Sequence, residues 1–221
     1  MKAKPRIAID AMGGDNAPVE IVAGTLLAQA DGLGQMVLVG DGERIKPLLT
    51  GPGATEIEIV HAPGVIAMDA HASQAVRNAS GTSLGEAVEL VRSGGADAVV
   101  SAGNSGAFLA IALIRLRTIS GIARPAIAAV LPSKTGPVVL VDAGANVDCR
   151  PEWLMQFGVM GAAYSHAALG VARPRVGIIS NGEEATKGNA QTIASAELLS
   201  RAQLNFIGNI EAKIYSMVLP M

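Results

Sequence analysis

The chain has 221 residues, of which 50% are hydrophobic and 16% charged, and its 17 basic and 19 acidic side chains give a formal net charge of −2. This composition excludes a disordered chain and reads as one large α/β domain with a full core. The near balance of charge, with only 3% aromatic residues, excludes the basic, base-stacking surface of a nucleic-acid binder. The single cysteine, Cys149, excludes an internal disulfide framework and a multi-cysteine zinc site and fits a reducing cytoplasm, and Asp10 interrupts the first apolar run too early for a signal-peptide core.

In chain order, one pattern repeats. Arg6 to Ala11 predicts a strand that breaks into Met12, Gly13, Gly14, Asp15 and Asn16, with Pro18 opening a helix to about Ala30. Met36 to Val39 predicts a second strand, followed by Gly40, Asp41 and Gly42 and a helical stretch from near Glu43. Ile57 to Val60 is a third strand, and Ser83 to Arg92 a helix stopped by Gly94 and Gly95. Ala96 to Val100 has the composition of a strand buried on both faces; it turns through Gly103, Asn104, Ser105 and Gly106 into a helix from Phe108 to Leu116. Ala126 to Leu131 and Val138 to Val141 predict neighbouring strands, and a turn at Asp142 to Asn146 leads to a helix from Pro151 to about Leu169. Arg175 to Ile179 is a strand, Ser180 to Asn189 a polar loop, Gln191 to Arg201 a helix and Leu204 to Ile207 a last strand. Strands alternating with helices imply a mostly parallel sheet with helices on both faces, whose ligands bind at the carboxyl ends of the strands.

Trp153 to Ala172 is an uncharged run long enough to span a bilayer. Gln156, Ser165 and His166 interrupt it, and Trp153, Phe157, Met160 and Tyr164 recur at helical spacing. Gly158, Gly161, Ala162 and Ala163 permit close approach of another element, so the run reads as a core or subunit-interface helix.

Four turns at predicted carboxyl ends carry polar residues that folding alone explains poorly: Asp10 to Asp15, Ala102 to Ala107, Asp142 to Asn146 and Asn181 to Asn189. Gly, Asn and Asp are ordinary turn formers and caps, so one such turn means little; four at the same end of one sheet predict a common cleft. A strand entering a helix through Gly103 to Gly106 leaves unpaired N–H groups and the positive end of a helix dipole, which suit an anion. Lys187 is the basic residue within these turns and is placed to neutralise an anion or a developing oxyanion, although it also fits a solvated lysine paired with Glu184. Asn104 and Asn146 offer amide donors. Asp10, Asp15, Asp142, Glu183 and Glu184 lack the fixed spacing of a metal site, and His61, His71 and His166 are scattered, so no metal is expected.

The dinucleotide fingerprint fails at Ile45, and no Walker-type loop occurs. Gly103 to Ala107 lacks only the last glycine of a nucleophile elbow, which leaves a serine hydrolase with Ser105, Asp142 and His166 as an alternative. Its His166 falls inside a helix.

Together, DAMGGD at Asp10, ADAVVSAGNSGA at Ala96, VDAGAN at Val141, GEEATKGN at Gly182 and NFIGNIE at Asn205 resemble the phosphate acyltransferase family of the PlsX type, in order from about Ile7 to Glu211. The resemblance implies a fold similar to the isocitrate and isopropylmalate dehydrogenases and to phosphotransacetylase. It implies transfer of a fatty acyl group from acyl carrier protein (acyl-ACP) to inorganic phosphate for phospholipid synthesis. It also implies a cytoplasmic homodimer without cofactor, with peripheral membrane contact in full-length relatives. Phosphate is itself the nucleophile, so the protein must hold an anion beside an electrophilic carbonyl and stabilise the oxyanion. On this reading Gly13, Gly14, Asn104, Ser105 and Gly106 bind phosphate. Lys187, with Asn146 or Asn189, stabilises the tetrahedral intermediate, while Asp10, Asp15, Asp142, Glu183 and Glu184 bind or orient these groups.

The family usually has threonine at Ser105 and a lysine-rich segment after Arg77, where this chain reads NASGTS from Asn78 to Ser83. After Glu211 the family continues into a long further segment, whereas this chain reads AKIYSMVLPM from Ala212 to Met221. Residues 1–211 are thus expected to form an acyltransferase domain incomplete relative to the family, with 212–221 a tail outside its pattern. A non-catalytic chain that binds acyl-ACP or its own kind without turnover is the alternative that this implies.

Overall fold

The structure is a computed structural model that describes residues 4–133, 136–144, 146 and 148–211. The expected tail at 212–221 lies outside the described residues. The chain divides into two compact units, Met1–Ile119 and Ser120–Met221.

In the first unit, β1 (Arg6–Asp10), β2 (Gln35–Gly40), β3 (Glu58–His61) and β4 (Ala98–Val100) form one parallel sheet in the order β3-β2-β1-β4. Strict alternation along β1 and β2 divides the core between the two faces. Ile9, Met36 and Leu38 pack with Val22 of α1 (Val19–Ala30) and with Ile45 and Ile57. Ala8, Val37 and Val39 pack with Ala87 of α4 (Ser83–Arg92) and with Ala62 and Ala96. Between β2 and β3 the helical stretch near Glu43 shortens to a single turn, α2 (Gly42–Ile45), capped by Asp41. Two further helices, α3 (Ala72–Arg77) and α5 (Ser105–Leu116), complete a third apolar cluster with α4 through Ala75, Leu84, Val88, Ala107 and Ile111.

Burial of Ala96 to Val100 on both faces does not hold: among the described residues β4 pairs with β1 only, and Val100 is 54% exposed. A strand face is buried only where another element packs on it, whatever the composition of the strand.

In the second unit, β5 (Ala128–Leu131) and β6 (Val138–Val141) are antiparallel neighbours, while β7 (Arg175–Ser180) and β8 (Asn205–Glu211) form a separate parallel pair. The long helix α6 (Pro151–Leu169) starts with proline at its first turn and ends at Gly170, whose φ of 70° only glycine adopts freely. Its glycines are where other elements approach. A Cβ on Gly161 would lie 2.6 Å from Val141 of β6, and one on Gly158 2.7 Å from Leu199 of α7 (Ala190–Arg201). Phe157 is buried, whereas Tyr164, expected on the same stripe, is exposed. No helix among the described residues is long and apolar enough to cross a membrane.

Candidate functional site

The candidate residues fall into two sets, one in each unit. In the first unit the chain builds outward from β1 through β2 to β3, then returns to the opposite side of β1 as β4. Neighbouring strands whose connections leave in opposite directions open a crevice at their carboxyl ends, where α/β sheets bind ligands. The Asp10–Asp15 and Ala102–Ala107 turns follow these two adjacent strands.

Asp10 holds the turns together. Its carboxylate is buried; Oδ2 accepts the Ser101 hydroxyl at 2.6 Å and Oδ1 accepts the Met12 N–H at 3.3 Å. The Ser101 Oγ in turn accepts the Gly103 N–H at 3.0 Å. Gly13 closes over this link: a Cβ there would lie 2.4 Å from Asp10 Oδ2 and 2.9 Å from Ser101 Oγ. Gly14, with φ of 100°, lies against Ala102. Asp10 therefore positions backbone, and Ser101, which the sequence reading assigned no role, is its partner across the two strands.

Asn104 is the N-cap of α5. Its Oδ1 accepts the Ala107 N–H at 2.9 Å, and its Nδ2 donates to the carbonyls of Ala67, Met68 and Ala70 at 3.3, 2.9 and 3.0 Å. The amide expected to face an oxyanion is thus committed to protein carbonyls. What remains for an anion is backbone: among the described residues the N–H groups of Gly13, Gly14, Ser105 and Gly106 have no acceptor. Two of these belong to the first turn of a 12-residue helix, whose dipole adds positive potential there. Ser105 and Asp15 are exposed.

In the second unit, Asp142 follows β6 with φ of 63°, a conformation that aspartate tolerates better than most residues. Its Oδ1 accepts from the Asn146 N–H at 3.2 Å and from Asn146 Nδ2 at 3.0 Å, and its Oδ2 accepts the Cys149 thiol at 3.3 Å. Asn146 Nδ2 also donates to the Pro125 carbonyl at 3.3 Å, and Asn146 Oδ1 accepts from Arg124 at 3.0 Å. Burial and the Asp142 carboxylate push the Cys149 thiol up to about 11. Arg124 and Arg150 lie 4.7 and 5.5 Å from the Trp153 ring centroid, so the half-buried tryptophan at the start of α6 carries two guanidinium groups.

Lys187 is exposed in the turn after β7, and among the described residues it makes no ion pair, including with Glu184. Glu183 and Glu184 are exposed beside it. The Lys187 stem runs over Gly182, where a Cβ would come within 2.8 Å of its Cγ. Asn189 caps α7, its Oδ1 accepting both the N–H and the hydroxyl of Thr192 at 2.8 and 3.0 Å. The Asn189 Nδ2 keeps its hydrogens free among the described residues. Lys187 and Asn189 can therefore each offer N–H donors, which Asn146 cannot.

The serine-hydrolase arrangement lacks its central bond. His166 Nδ1 contacts the Val171 carbonyl at 3.1 Å, and the Asp142 carboxylate is taken by Asn146 and Cys149. Without an aspartate to orient it, His166 has no basis as a general base.

Comparison with known proteins extends this picture. A family model described as "Fatty acid synthesis protein" matches residues 5–216. A phosphate acyltransferase from Pelotomaculum thermopropionicum is 53% identical over 209 residues, 94% of this chain and 61% of the relative. One from Myxococcus xanthus is 48% identical over 212 residues, 94% of this chain and 60% of the relative. The chain thus spans about three fifths of the length of these curated relatives. Among solved structures, the phosphotransacetylase EutD from Staphylococcus aureus aligns with a TM-score of 0.64 at 17% identity, covering 94% of this chain and 68% of that one. A 4-hydroxythreonine-4-phosphate dehydrogenase from Burkholderia phymatum aligns with a TM-score of 0.52 at 19% identity, covering 94% and 74%. These likenesses bear out the α/β fold shared with phosphotransacetylases and dehydrogenases.

Proposed function

The chain belongs to the fatty acid synthesis protein family, and from that premise we propose that it is a phosphate acyltransferase moving a fatty acyl group from the thioester of acyl carrier protein to inorganic phosphate. The observation that carries this reading is the pair of glycine turns after β1 and β4, with four N–H groups that have no acceptor among the described residues. Such a cradle suits a small oxyanion, and phosphate needs no side-chain nucleophile to be activated for it.

A phosphate oxygen attacks the thioester carbonyl carbon, forming a C–O bond and a tetrahedral oxyanion. Collapse breaks the C–S bond, and the proton of hydrogen phosphate passes to the leaving sulfur, so the products are acyl phosphate and the carrier thiol. Phosphate binding is assigned to Gly13, Gly14, Ser105 and Gly106. Asn104 and Asp10 hold the turns that present them. Oxyanion stabilisation is assigned to Lys187 with Asn189, whose side-chain donors have no acceptor among the described residues, while Asp142 orders its own turn through Asn146. Asp15, Glu183 and Glu184 are exposed beside these turns and are assigned to orienting the bound groups. The acyl phosphate enters phospholipid synthesis, and the enzyme works in the cytoplasm as a homodimer.

Thiol release from a long-chain acyl-ACP, measured with the purified chain with and without inorganic phosphate, tests this. Release that requires phosphate is expected. Release without phosphate, or none from a folded chain, overturns the assignment.

A further inference from the structure

Asn209, on β8, is 7% exposed and lies on the same element pair as the Lys187 turn. Its Nδ2 donates to the Glu184 carbonyl at 2.8 Å and to the Lys187 carbonyl at 3.2 Å. The Lys187 N–H closes the same turn onto the Glu184 carbonyl at 2.9 Å, and Gly188 leaves it with φ of 107°. One buried amide thus satisfies both ends of the turn that carries the ammonium group. Without this donor the Lys187 carbonyl has no partner among the described residues, and the Glu184 carbonyl keeps only the Lys187 N–H.

We infer that Asn209 is a positioning residue for Lys187: its amide fixes the 184–187 turn so that the lysine stem runs over Gly182 and the ammonium is held in place before the oxyanion forms. The inference rests on the role of Lys187 given under the proposed function. Preorganised donors stabilise a transition state because their orientation is not acquired during the reaction. A lysine on a loosened turn still binds water or an anion, but delivers its charge less often in the productive geometry. Loss of Asn209 therefore lowers kcat while leaving the phosphate KM in place, since the phosphate cradle belongs to the turns after β1 and β4.

The test is a double-mutant cycle in the full chain, using Asn209→Leu, which keeps the branching of the asparagine side chain but not its donor, and Asn209→Ser, which keeps a shorter donor, each alone and with Lys187→Ala. Asn209→Leu is expected to lower kcat by about tenfold or more with the phosphate KM changed less than about twofold, and Asn209→Ser to lose less. In the Lys187→Ala background, Asn209→Leu is expected to change kcat by less than about twofold, since a residue acting through Lys187 has nothing left to position. The same factor in both backgrounds, or an unchanged kcat, overturns the inference while Lys187→Ala remains impaired. An unimpaired Lys187→Ala variant overturns the role of Lys187 and the inference with it. Trypsin reports the turn independently of turnover: Asn209→Leu is expected to speed cleavage after Lys187 by about tenfold beyond what its change in global stability accounts for, and cleavage that only tracks global stability overturns the inference even in a chain without activity.

Discussion

Gly13→Ala is the most direct perturbation of the link between the turns after β1 and β4. The added methyl would lie 2.4 Å from Asp10 Oδ2, 2.9 Å from Ser101 Oγ and 3.0 Å from Asp10 Cγ. Neither side chain can yield cheaply, because Asp10 is buried and its Oδ2 is bonded to Ser101. Overpacking a closed site costs about 1 to 3 kcal/mol, and breaking a hydrogen bond to a charged group about 1.5 to 3 kcal/mol. Because relief of one raises the other, the two do not simply add, and a loss of about 3 kcal/mol is expected. Urea unfolding followed by far-UV circular dichroism should show a lower midpoint at unchanged slope. The matched control is Gly24→Ala, in the exposed interior of α1 with nothing within 4 Å of the new Cβ. There the gain in helix propensity is about 0.5 to 1 kcal/mol. A Gly13→Ala variant within about 0.5 kcal/mol of the parent protein would refute the claim that Asp10 and Ser101 form a closed link beneath this glycine.

Three further outcomes follow from the same geometry. Lys187→Ala should lower turnover by about a hundredfold or more, the scale of losing an oxyanion donor, with stability unchanged since the ammonium is exposed and unpaired among the described residues. Asn104→Ala removes the α5 cap and the donor to three carbonyls, and should destabilise the first unit by about 2 to 3 kcal/mol in the same urea assay. The Cys149 thiol, raised to about 11 chiefly by burial and then by Asp142, should react with iodoacetamide at pH 8 about a hundred times more slowly than a thiol at the ordinary value of 9.0, and Asp142→Asn should speed it. The folded thiol keeps its proton more tightly than the unfolded one, whose ordinary value is 9.0. Its contribution to stability is therefore present below pH 9 and lost as pH rises to about 11.

Local chemistry was legible where it is self-contained. The helix at Ser83–Arg92 agrees at both ends with the sequence reading, because a Thr82 cap and two following glycines mark it without tertiary help. The long helix at Pro151–Leu169 agrees for the same reason, with proline at its start and glycine at its end. The short α3 at Ala72–Arg77 was missed: six residues give no measurable periodicity, and its stability comes from packing beside α5. The last strand runs to Glu211 rather than Ile207, because pairing with β7 extends it through the polar Asn209.

The candidate residues divide along the same line. Glycine, asparagine and aspartate clusters after apolar runs mark turns in any sequence, so Gly13, Gly14, Asn104, Asp142 and Asn189 were all found. Their individual tasks were not. Asn104 and Asn146 looked like free donors, but both amides serve protein carbonyls or a carboxylate. Ser101 and Asn209 fall within the motifs that carry the family resemblance but had no task assigned, since a serine at a strand end and an asparagine within a strand show none until their partners, 91 and about two dozen residues away, are brought to them.

The sequence by itself determined the alternation of strands and helices, the turns that interrupt it and the family to which its ordered motifs point, because each depends on neighbours within one or two turns of chain. Only the tertiary structure decided that β4 returns beside β1, that Asp10 and Ser101 join the two turns, and that a buried amide on β8 holds the Lys187 turn. Those facts rest on hydrogen bonds between residues far apart in the chain, whose strength depends on burial and geometry that no local pattern encodes.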